Sequence, residues 1–280
     1  MSVHVIGASG RSGTALARSL LADGIEVVPV IRNAARWAET GLPGEPRLAD
    51  LTGDGLPDAL AGATRIVSCA HARHLPAILA AAPRDARLIA LGSTRKFTRW
   101  PDAHGDGVLA GERALLASGQ PGAILHPTMI YGAAGEDNVQ RLAALLARLP
   151  AIPLPGGGHA LVQPIHQSDV TRAIRAALDV AWTGPEALVI AGPAPLPYAD
   201  FVRAIAAAAG LSPPRIVPVP AALLLALAPL TRLPGVPRIR SAEIRRLLED
   251  KAFGIEAMRS RLGLDPIPLA VGLSLTFGKA

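Results

Sequence analysis

The sequence predicts an α/β fold in which a doubly wound parallel sheet is followed by a smaller C-terminal lobe. Short apolar runs alternate with stretches of helical spacing over residues 1–132, which is the pattern of right-handed β–α–β crossovers. A glycine-rich turn joins the first run to the first helix. Beyond residue 132 the composition changes, and prolines divide the chain into shorter elements. We therefore expect one domain at 1–132 and a smaller lobe at 133–280, some of whose segments return to the main sheet.

The strands of the predicted sheet are short and largely apolar, as expected where helices cover both faces of a parallel sheet. In chain order they span residues 2–6, 26–31, 47–51, 65–70, 86–91 and 122–126. In the smaller lobe the pattern predicts a helix at 136–148, a short strand at 162–166, a helix at 167–180 and a strand at 186–191. The remainder is predicted to form short helices separated by prolines.

Composition limits the classes of function. Half of the 280 residues are hydrophobic, which is enough for a large core. The net charge of +6 comes almost wholly from arginine, but no basic block is interleaved with aromatic residues, so we expect no nucleic-acid partner. Cys69 is the only cysteine, and the first strand starts at residue 2 with no leader pattern. These features predict a cytoplasmic protein.

The glycine-rich turn has the spacing G-x-x-G-x-x-G between a strand and a helix, at Gly7, Gly10 and Gly13. The first glycine permits a tight turn, the second lets the backbone approach a pyrophosphate, and the third lets the helix pack on the strand. The N–H groups of Ser9, Arg11 and Ser12 would lie near the phosphates. In this context the turn indicates a nicotinamide dinucleotide in a Rossmann-type fold, and a purely structural turn is the alternative.

The preferred cofactor is predicted from the end of the second strand, which faces the adenosine ribose in this architecture. An acidic residue there favours NAD, whereas an arginine accommodates a 2′-phosphate. Arg32 stands at this position and Arg11 lies within the glycine turn. We therefore expect NADP(H) to be favoured over NAD(H). The alternative is two solvated arginines in an arginine-rich chain.

Four groups of residues follow one another in a recognisable order. They are Gly7, Gly10 and Gly13; Ser93 and Thr94 after the fifth strand; Pro127, Tyr131 and Gly132 after the sixth; and Gln163, His166 and Asp169. Their order and spacing resemble those of an extended or atypical short-chain dehydrogenase/reductase of the NAD-dependent epimerase/dehydratase type. Residues 154–158 and 248–264 also resemble segments of bacterial nucleotide-sugar epimerase-like proteins.

The resemblance implies further binding residues and a class of substrate. It places Asp50 beside the adenine, although this aspartate is equally suited to start a turn at Thr52. The substrate would be a nucleotide-sugar or a similar hydroxyl or carbonyl compound. His71 and His74 have no accompanying cysteine or carboxylate, so no metal is expected. The additional cofactor contacts are Asp50, Leu51, Ala70, His71, Pro127 and Met129, and the expected substrate contacts are Asn138, Gln163 and His166.

The chain departs from the superfamily at its catalytic motif, Tyr-x-x-x-Lys in the helix after the fifth strand. His104 and Val108 occupy the two positions, and no tyrosine elsewhere precedes a lysine by four residues. Lys96, His104 or Tyr131 would then have to move the proton, beside the hydroxyls of Ser93 and Thr94. The alternatives are a protein that binds NADP(H) without turnover, as a structural or redox-sensing subunit, and an interaction module that the cofactor merely stabilises.

An apolar helix is predicted at 221–228, followed by Arg232, Arg238 and Arg240. An apolar segment beside basic residues can lie on a membrane surface or form a subunit contact, for example in a homodimer. The alternative is a helix in the core of the small lobe. The segment is too short to span a bilayer.

Overall fold

The computed structural model describes residues 2–53, 55–132, 137–149, 151–227 and 241–278. The strands are β1 Ser2–Ile6, β2 Glu26–Ile31, β3 Arg47–Leu48, β4 Arg65–Ser68, β5 Arg87–Leu91, β6 Gly122–Pro127, β7 Ile130–Tyr131, β8 Ala151–Pro155, β9 Leu161–Val162, β10 Ile165–His166, β11 Pro185–Ile190, β12 Leu196–Pro197 and β13 Arg215–Val219. The helices are α1 Arg11–Ala22, α2 Ala34–Ala38, α3 Leu56–Ala59, α4 Leu75–Ala81, α5 Ala103–Ser118, α6 Asn138–Leu146, α7 Gln167–Asp179, α8 Tyr198–Ala208, α9 Ala221–Leu227, α10 Ser241–Arg246, α11 Glu256–Leu262 and α12 Leu269–Phe277.

A seven-stranded sheet organises the molecule, with the strand order β11-β6-β5-β4-β1-β2-β3. All neighbouring strands of this sheet run parallel. This confirms the predicted α/β doubly wound fold. From β1 the chain proceeds to one side through β2 and β3, and then returns to the other side with β4. A crevice therefore opens beyond the carboxyl ends of β1 and β4, where ligands bind in such sheets.

Helices cover both faces of the sheet, and a third core lies in the later part of the chain. Helices α1, α7 and α11 contribute to the apolar cluster on one face, and α3, α4 and α5 to the cluster on the other. The third cluster is built by α6, α8, α12 and β8. Strand β11 and helix α7 come from the second half of the chain but belong to the main sheet layer.

The strand predicted at 65–70 ends two residues early, at Ser68. The two predicted strands that differ most from those observed do so because of polar side chains and a proline. The strand predicted at 47–51 ends at Leu48. Beyond it the Asp50 carboxylate accepts hydrogen bonds from the N–H and hydroxyl of Thr52, which turns the chain. The strand predicted at 162–166 is divided into β9 and β10. Between them Pro164 has no N–H to donate, and the Gln163 amide bonds to Gly192 O and Phe253 N.

The apolar segment 221–240 is described only in its first part, as helix α9. Arg232, Arg238 and Arg240 lie outside the described residues. Within the described part of the chain, no helix is long and apolar enough to cross a bilayer. Contact of this segment with a membrane surface or a second subunit stays a prediction.

Helix α5 packs unusually close to the turn that follows β4. A Cβ atom at Gly111 would lie 2.0 Å from the carbonyl oxygen of Ala72, and one at Gly107 would lie 3.0 Å from Cε1 of His71. Because the first contact is with backbone, a side-chain rotation cannot relieve it. The absence of a side chain at Gly111 therefore fixes how near α5 lies to the carboxyl end of β4.

We predict that Gly111→Ala destabilises the protein. Overpacking typically costs about 1–3 kcal/mol, and alanine's better helix propensity returns about 1 kcal/mol. We expect a net loss in the free energy of unfolding, measured by urea denaturation. Gly184→Ala is the matched control, since an added Cβ there meets nothing within 4 Å. Equal stability of the two variants would contradict the close packing of α5.

Candidate functional site

The glycine turn at the end of β1 leaves the start of α1 open. Gly7 has a φ of +74°, which favours glycine, and its carbonyl accepts the N–H of Gly10 at 2.9 Å. A Cβ at Gly13 would lie 2.2 Å from the Gly7 oxygen, so this close contact between helix and turn requires glycine. No side chain caps α1 at Gly10. The first N–H groups of the helix can therefore receive an anionic group such as a pyrophosphate.

The predicted cofactor residues lie around this turn. Arg11 and Arg32 are exposed, Ser9 and Ala70 are half-buried, and Ser12 donates a hydrogen bond to the Gln167 side chain at 3.4 Å. A Cβ at Gly7 would lie 3.3 Å from the Ala70 nitrogen, so the end of β4 abuts the turn. The open helix start and the close backbone approaches fit a dinucleotide.

Arg32 and Asp50 lie on the same rim of the crevice. Hydrogen bonds from the Thr52 N–H and hydroxyl lower the pKa of Asp50, and the charge of Arg32 lowers it further. Asp50 therefore acts as a turn-starting residue, while Leu51 packs against the core beside it. A cation and a carboxylate therefore lie close enough to interact just beyond the ends of β2 and β3.

Two histidines meet between β4 and α5. The rings of His71 and His104 are in edge contact, with centroids 4.3 Å apart. Nδ1 of His71 accepts the Arg73 N–H at 3.1 Å, while its buried Nε2 has no partner among the described residues. Burial first, and then the charge of neighbouring groups including His104, lowers the pKa of His71 to about 4. Burial, with the charge of Arg95, also lowers the pKa of His104, so both rings are neutral at pH 7.

A buried polar cluster lies beneath Ser93. Lys96 forms an ion pair with Glu112, whose Oε2 lies 2.6 Å from Nε2 of His126. Nδ1 of His126 accepts the Ser93 N–H at 3.2 Å. The side chain of His126 is 1% exposed, and burial, with the charge of Lys96, lowers its pKa to about 4. The cluster thereby fixes the backbone of Ser93.

Sequence reasoning missed Glu112 and His126. The available signals were weak: a histidine inside an apolar strand, and Gly92 directly before Ser93. A Cβ at Gly92 would lie 2.3 Å from Nδ1 of His126, so this glycine makes room for the ring.

A cavity of about 1060 Å³ opens beside Ser93 and Thr94, between the sheet edge and the later part of the chain. It brings together four residues predicted to lie there, and its wall is otherwise mostly apolar. The four are Ser93, Thr94, Met129 and Gln163, and the rest of the lining is Arg95, Phe97, Thr98, Arg99, Thr128, Leu142, Leu145, Leu149, Ile152, Pro153, Leu154, Val162, Tyr198, Arg246, Leu247, Glu249, Asp250, Lys251 and Phe253.

Five predicted residues are not part of this lining, and each has another contact. Lys96 is bound to Glu112, and His104 lies against His71. Tyr131 is 1% exposed in the core, where burial raises its pKa, and a Cβ at Gly272 would meet its hydroxyl. Asn138 donates to Ile130 O at 2.7 Å, and His166 is buried with Nδ1 2.7 Å from the Ser168 hydroxyl.

Pro127 acts through its carbonyl, which accepts the Thr94 hydroxyl at 3.1 Å. This bond ties the loop after β5 to the end of β6.

The described residues contain no group of three or more His, Cys, Asp or Glu side chains that could hold a metal ion.

Comparison with known proteins gives structural matches only. No protein-family model and no curated protein sequence matches the chain. UDP-glucuronic acid 4-epimerase from Bacillus cereus, in complex with UDP-glucuronic acid and NAD, matches with a TM-score of 0.75 and 16% identity, over 99% of this chain and 98% of that one. UDP-glucose 4-epimerase from Thermotoga maritima, with UDP-glucose, matches with a TM-score of 0.75, 14% identity and the same coverage.

A nucleoside-diphosphate-sugar epimerase from Pseudomonas aeruginosa matches with a TM-score of 0.72 and 21% identity, over 99% of this chain and 96% of that one. The similarity spans essentially the whole length of all three proteins. The chain therefore has the fold of these nucleotide-sugar epimerases, which is the fold that the sequence resemblance implied.

We predict that acid destabilises the protein partly through His126. Its pKa is about 4 in the folded state and near 6.5 when unfolded, so the unfolded chain binds more protons between these values. The stability from this group is complete above pH 6.5 and is lost as the pH falls toward 4. His126→Asn, which retains an acceptor for the Ser93 N–H, should flatten the dependence of the melting temperature on pH in this window. His159→Asn, at an exposed position, is the control and should retain the slope.

Proposed function

We propose that the chain binds a nicotinamide dinucleotide at the Gly7–Gly13 turn and acts as an oxidoreductase or epimerase on a small molecule in the adjoining cavity. The cofactor would be NADP(H) in preference to NAD(H). The observation that carries the proposal is the position of the cavity. It opens at Ser93 and Thr94, after the carboxyl end of β5, on the same sheet edge as the glycine turn.

Three observations support the cofactor. No side chain caps the start of α1 at Gly10, so the first N–H groups of the helix are open to a pyrophosphate. Two structural neighbours carry NAD or a UDP-sugar in their solved complexes, which agrees with a nucleotide on this edge. Arg32, at the end of β2, supports a 2′-phosphate.

When bound, the nicotinamide ring supplies or accepts a hydride at a substrate carbon. The residues of the chain have to orient the substrate oxygen and move its proton. Ser93 and Thr94 offer hydroxyls at the cavity, but neither is a good base at neutral pH. Two hydrogen bonds to β6 fix their position: the Ser93 N–H donates to His126 Nδ1, and the Thr94 hydroxyl donates to Pro127 O.

His104 is the best placed of the three predicted proton-transfer groups. Lys96 is held by Glu112, and Tyr131 lies in the core. His104 is the second residue of α5, whose first turn abuts the loop after Ser93 and Thr94, since a Cβ at Gly105 would lie 3.0 Å from Arg95 O. Its lowered pKa keeps the ring neutral and able to accept a proton at pH 7.

A second function, NADP(H) binding without turnover, is favoured by one specific observation. None of Lys96, His104 and Tyr131 belongs to the described lining of the cavity. In that function the protein is a structural or redox-sensing subunit, and the cofactor stabilises its fold by binding the native state.

Calorimetric titration tests the cofactor preference. We expect NADPH to bind more tightly than NADH, and Arg32→Glu to reverse the order because a carboxylate repels the 2′-phosphate and accepts from a 2′-hydroxyl. Arg36→Glu, which changes another exposed arginine in the following helix, should leave the preference unchanged. Equal affinities in the unaltered protein would contradict the role of Arg32 and leave the fold unaffected.

Turnover distinguishes the two functions. UDP-glucose and an apolar alcohol are each incubated with the protein and oxidised cofactor, and products and reduced nicotinamide are measured. We expect His104→Phe to lower turnover by about 10²-fold or more while NADPH still binds, and His159→Phe to have no effect. Gly10→Val is the negative control, because its side chain lies where the pyrophosphate would approach and should prevent cofactor binding. Cofactor binding without any product would favour the non-catalytic function.

A further inference from the structure

The cavity beside Ser93 and Thr94 is lined by many polar residues, yet nearly all of their polar groups are already used within the protein. The Gln163 amide bonds to both Gly192 O and Phe253 N. Thr98 donates its hydroxyl to Glu249. The Ser93 hydroxyl accepts the Arg95 N–H at 3.1 Å.

The charged side chains on the wall are engaged in the same way. Arg95 pairs with Asp102, the Glu249 carboxylate accepts the backbone N–H of Arg99, and the Arg99 guanidinium donates to Leu248 O at 3.3 Å. Asp250 accepts the Leu161 N–H at 2.9 Å, and the ammonium of Lys251 donates to the Arg246 carbonyl. Burial lowers the pKa of Lys251. The two carboxylates of the wall, Glu249 and Asp250, are therefore already hydrogen-bonded within the protein.

Among the described lining residues, Thr128 is the one with a fully buried side-chain polar atom that has no hydrogen-bond partner. Thr128 is 6% exposed, and its Oγ1 is buried without a hydrogen-bond partner among the described residues. It follows directly on β6, close in sequence to Pro127, whose carbonyl holds Thr94. A buried hydroxyl without a partner costs free energy that a ligand oxygen would recover.

The opposite wall is apolar. Leu142 and Leu145 of α6 and the strand β8, with Ile152 and Leu154, give this part of the cavity a hydrocarbon surface. A ligand that fills it gains free energy in proportion to the apolar area that it buries. A sugar with several hydroxyls would lose hydrogen bonds to water there and find few in return.

We infer that the cavity takes an apolar carbonyl compound or alcohol, whose hydrocarbon body lies against α6 and β8 and whose single oxygen bonds to Thr128, rather than a nucleotide sugar. This substrate class rests on the proposed function for its chemistry, because a hydride acceptor or donor carbon has to carry that oxygen. The binding itself depends only on the cavity.

The first experiment measures binding of a hydrocarbon probe, 1,6-diphenylhexatriene, by its fluorescence with the full-length protein. Leu145→Asp should raise the Kd about tenfold or more, since it places a carboxylate in the apolar wall. Leu116→Asp is the matched control, because Leu116 is an exposed helix leucine outside the cavity, and it should leave the Kd unchanged. Equal probe binding by both variants would overturn the inference.

The second experiment is competition for the bound probe. We expect 1-decanol to displace it and UDP-glucose to leave it in place. Thr128→Val, which keeps the shape and removes the hydroxyl, should weaken decanol binding by about 3–10-fold and leave the Kd of the hydrocarbon probe unchanged. Displacement by UDP-glucose but not by decanol would show that the ligand is a nucleotide sugar.

Calorimetry with NADPH separates this inference from the proposed function. If NADPH fails to bind while decanol competes as expected, the proposed oxidoreductase is wrong and the apolar cavity ligand stands. If NADPH binds while Leu145→Asp and Thr128→Val change nothing, the substrate class is wrong and the cofactor site stands.

Discussion

The buried cluster of Lys96, Glu112 and His126 joins the three elements that build the site. Lys96 comes from the loop after β5, Glu112 from α5 and His126 from β6. Removing such charges from water costs several kcal/mol per ion, which only close pairing and further hydrogen bonds offset. Each member therefore requires the other two, and through the Ser93 N–H they fix the loop on which the cavity depends.

The packing of α5 determines which side chains fit at the positions where the sequence resemblance expects Tyr-x-x-x-Lys. Val108, where the sequence resemblance places the lysine, is 1% exposed in the core on one face of the sheet. One turn further on, Gly111 brings the helix backbone against Ala72. A lysine at position 108 would place its charge in this apolar contact. Lys96 lies instead in the loop after β5, where the Glu112 carboxylate neutralises its charge.

The fold was largely predictable because its signals are local. β1 and β2 have the predicted bounds, since an apolar run ending in a glycine turn or an arginine is visible in the sequence itself. The site was less predictable, because its contacts join distant residues. Lys96 and Glu112 are 16 residues apart, and Ser93 and His126 are 33 apart. Asn138 and His166 were expected in the cavity, but short-range bonds to Ile130 and Ser168 hold them elsewhere.

The same use of polar groups for structure determines how the cavity can select its ligand. Hydrogen bonds to neighbouring backbone or side chains already occupy the polar groups of Gln163, Thr98 and Asp250. These residues therefore hold the later part of the chain against the sheet rather than recognise a ligand. An apolar wall distinguishes ligands by only about 1–3 kcal/mol per methylene, whereas an unpaired buried polar group rejects a ligand that lacks its partner much more strongly. Thr128 is then the residue that selects for an oxygen, and the length of the wall along α6 selects for the size of the hydrocarbon body.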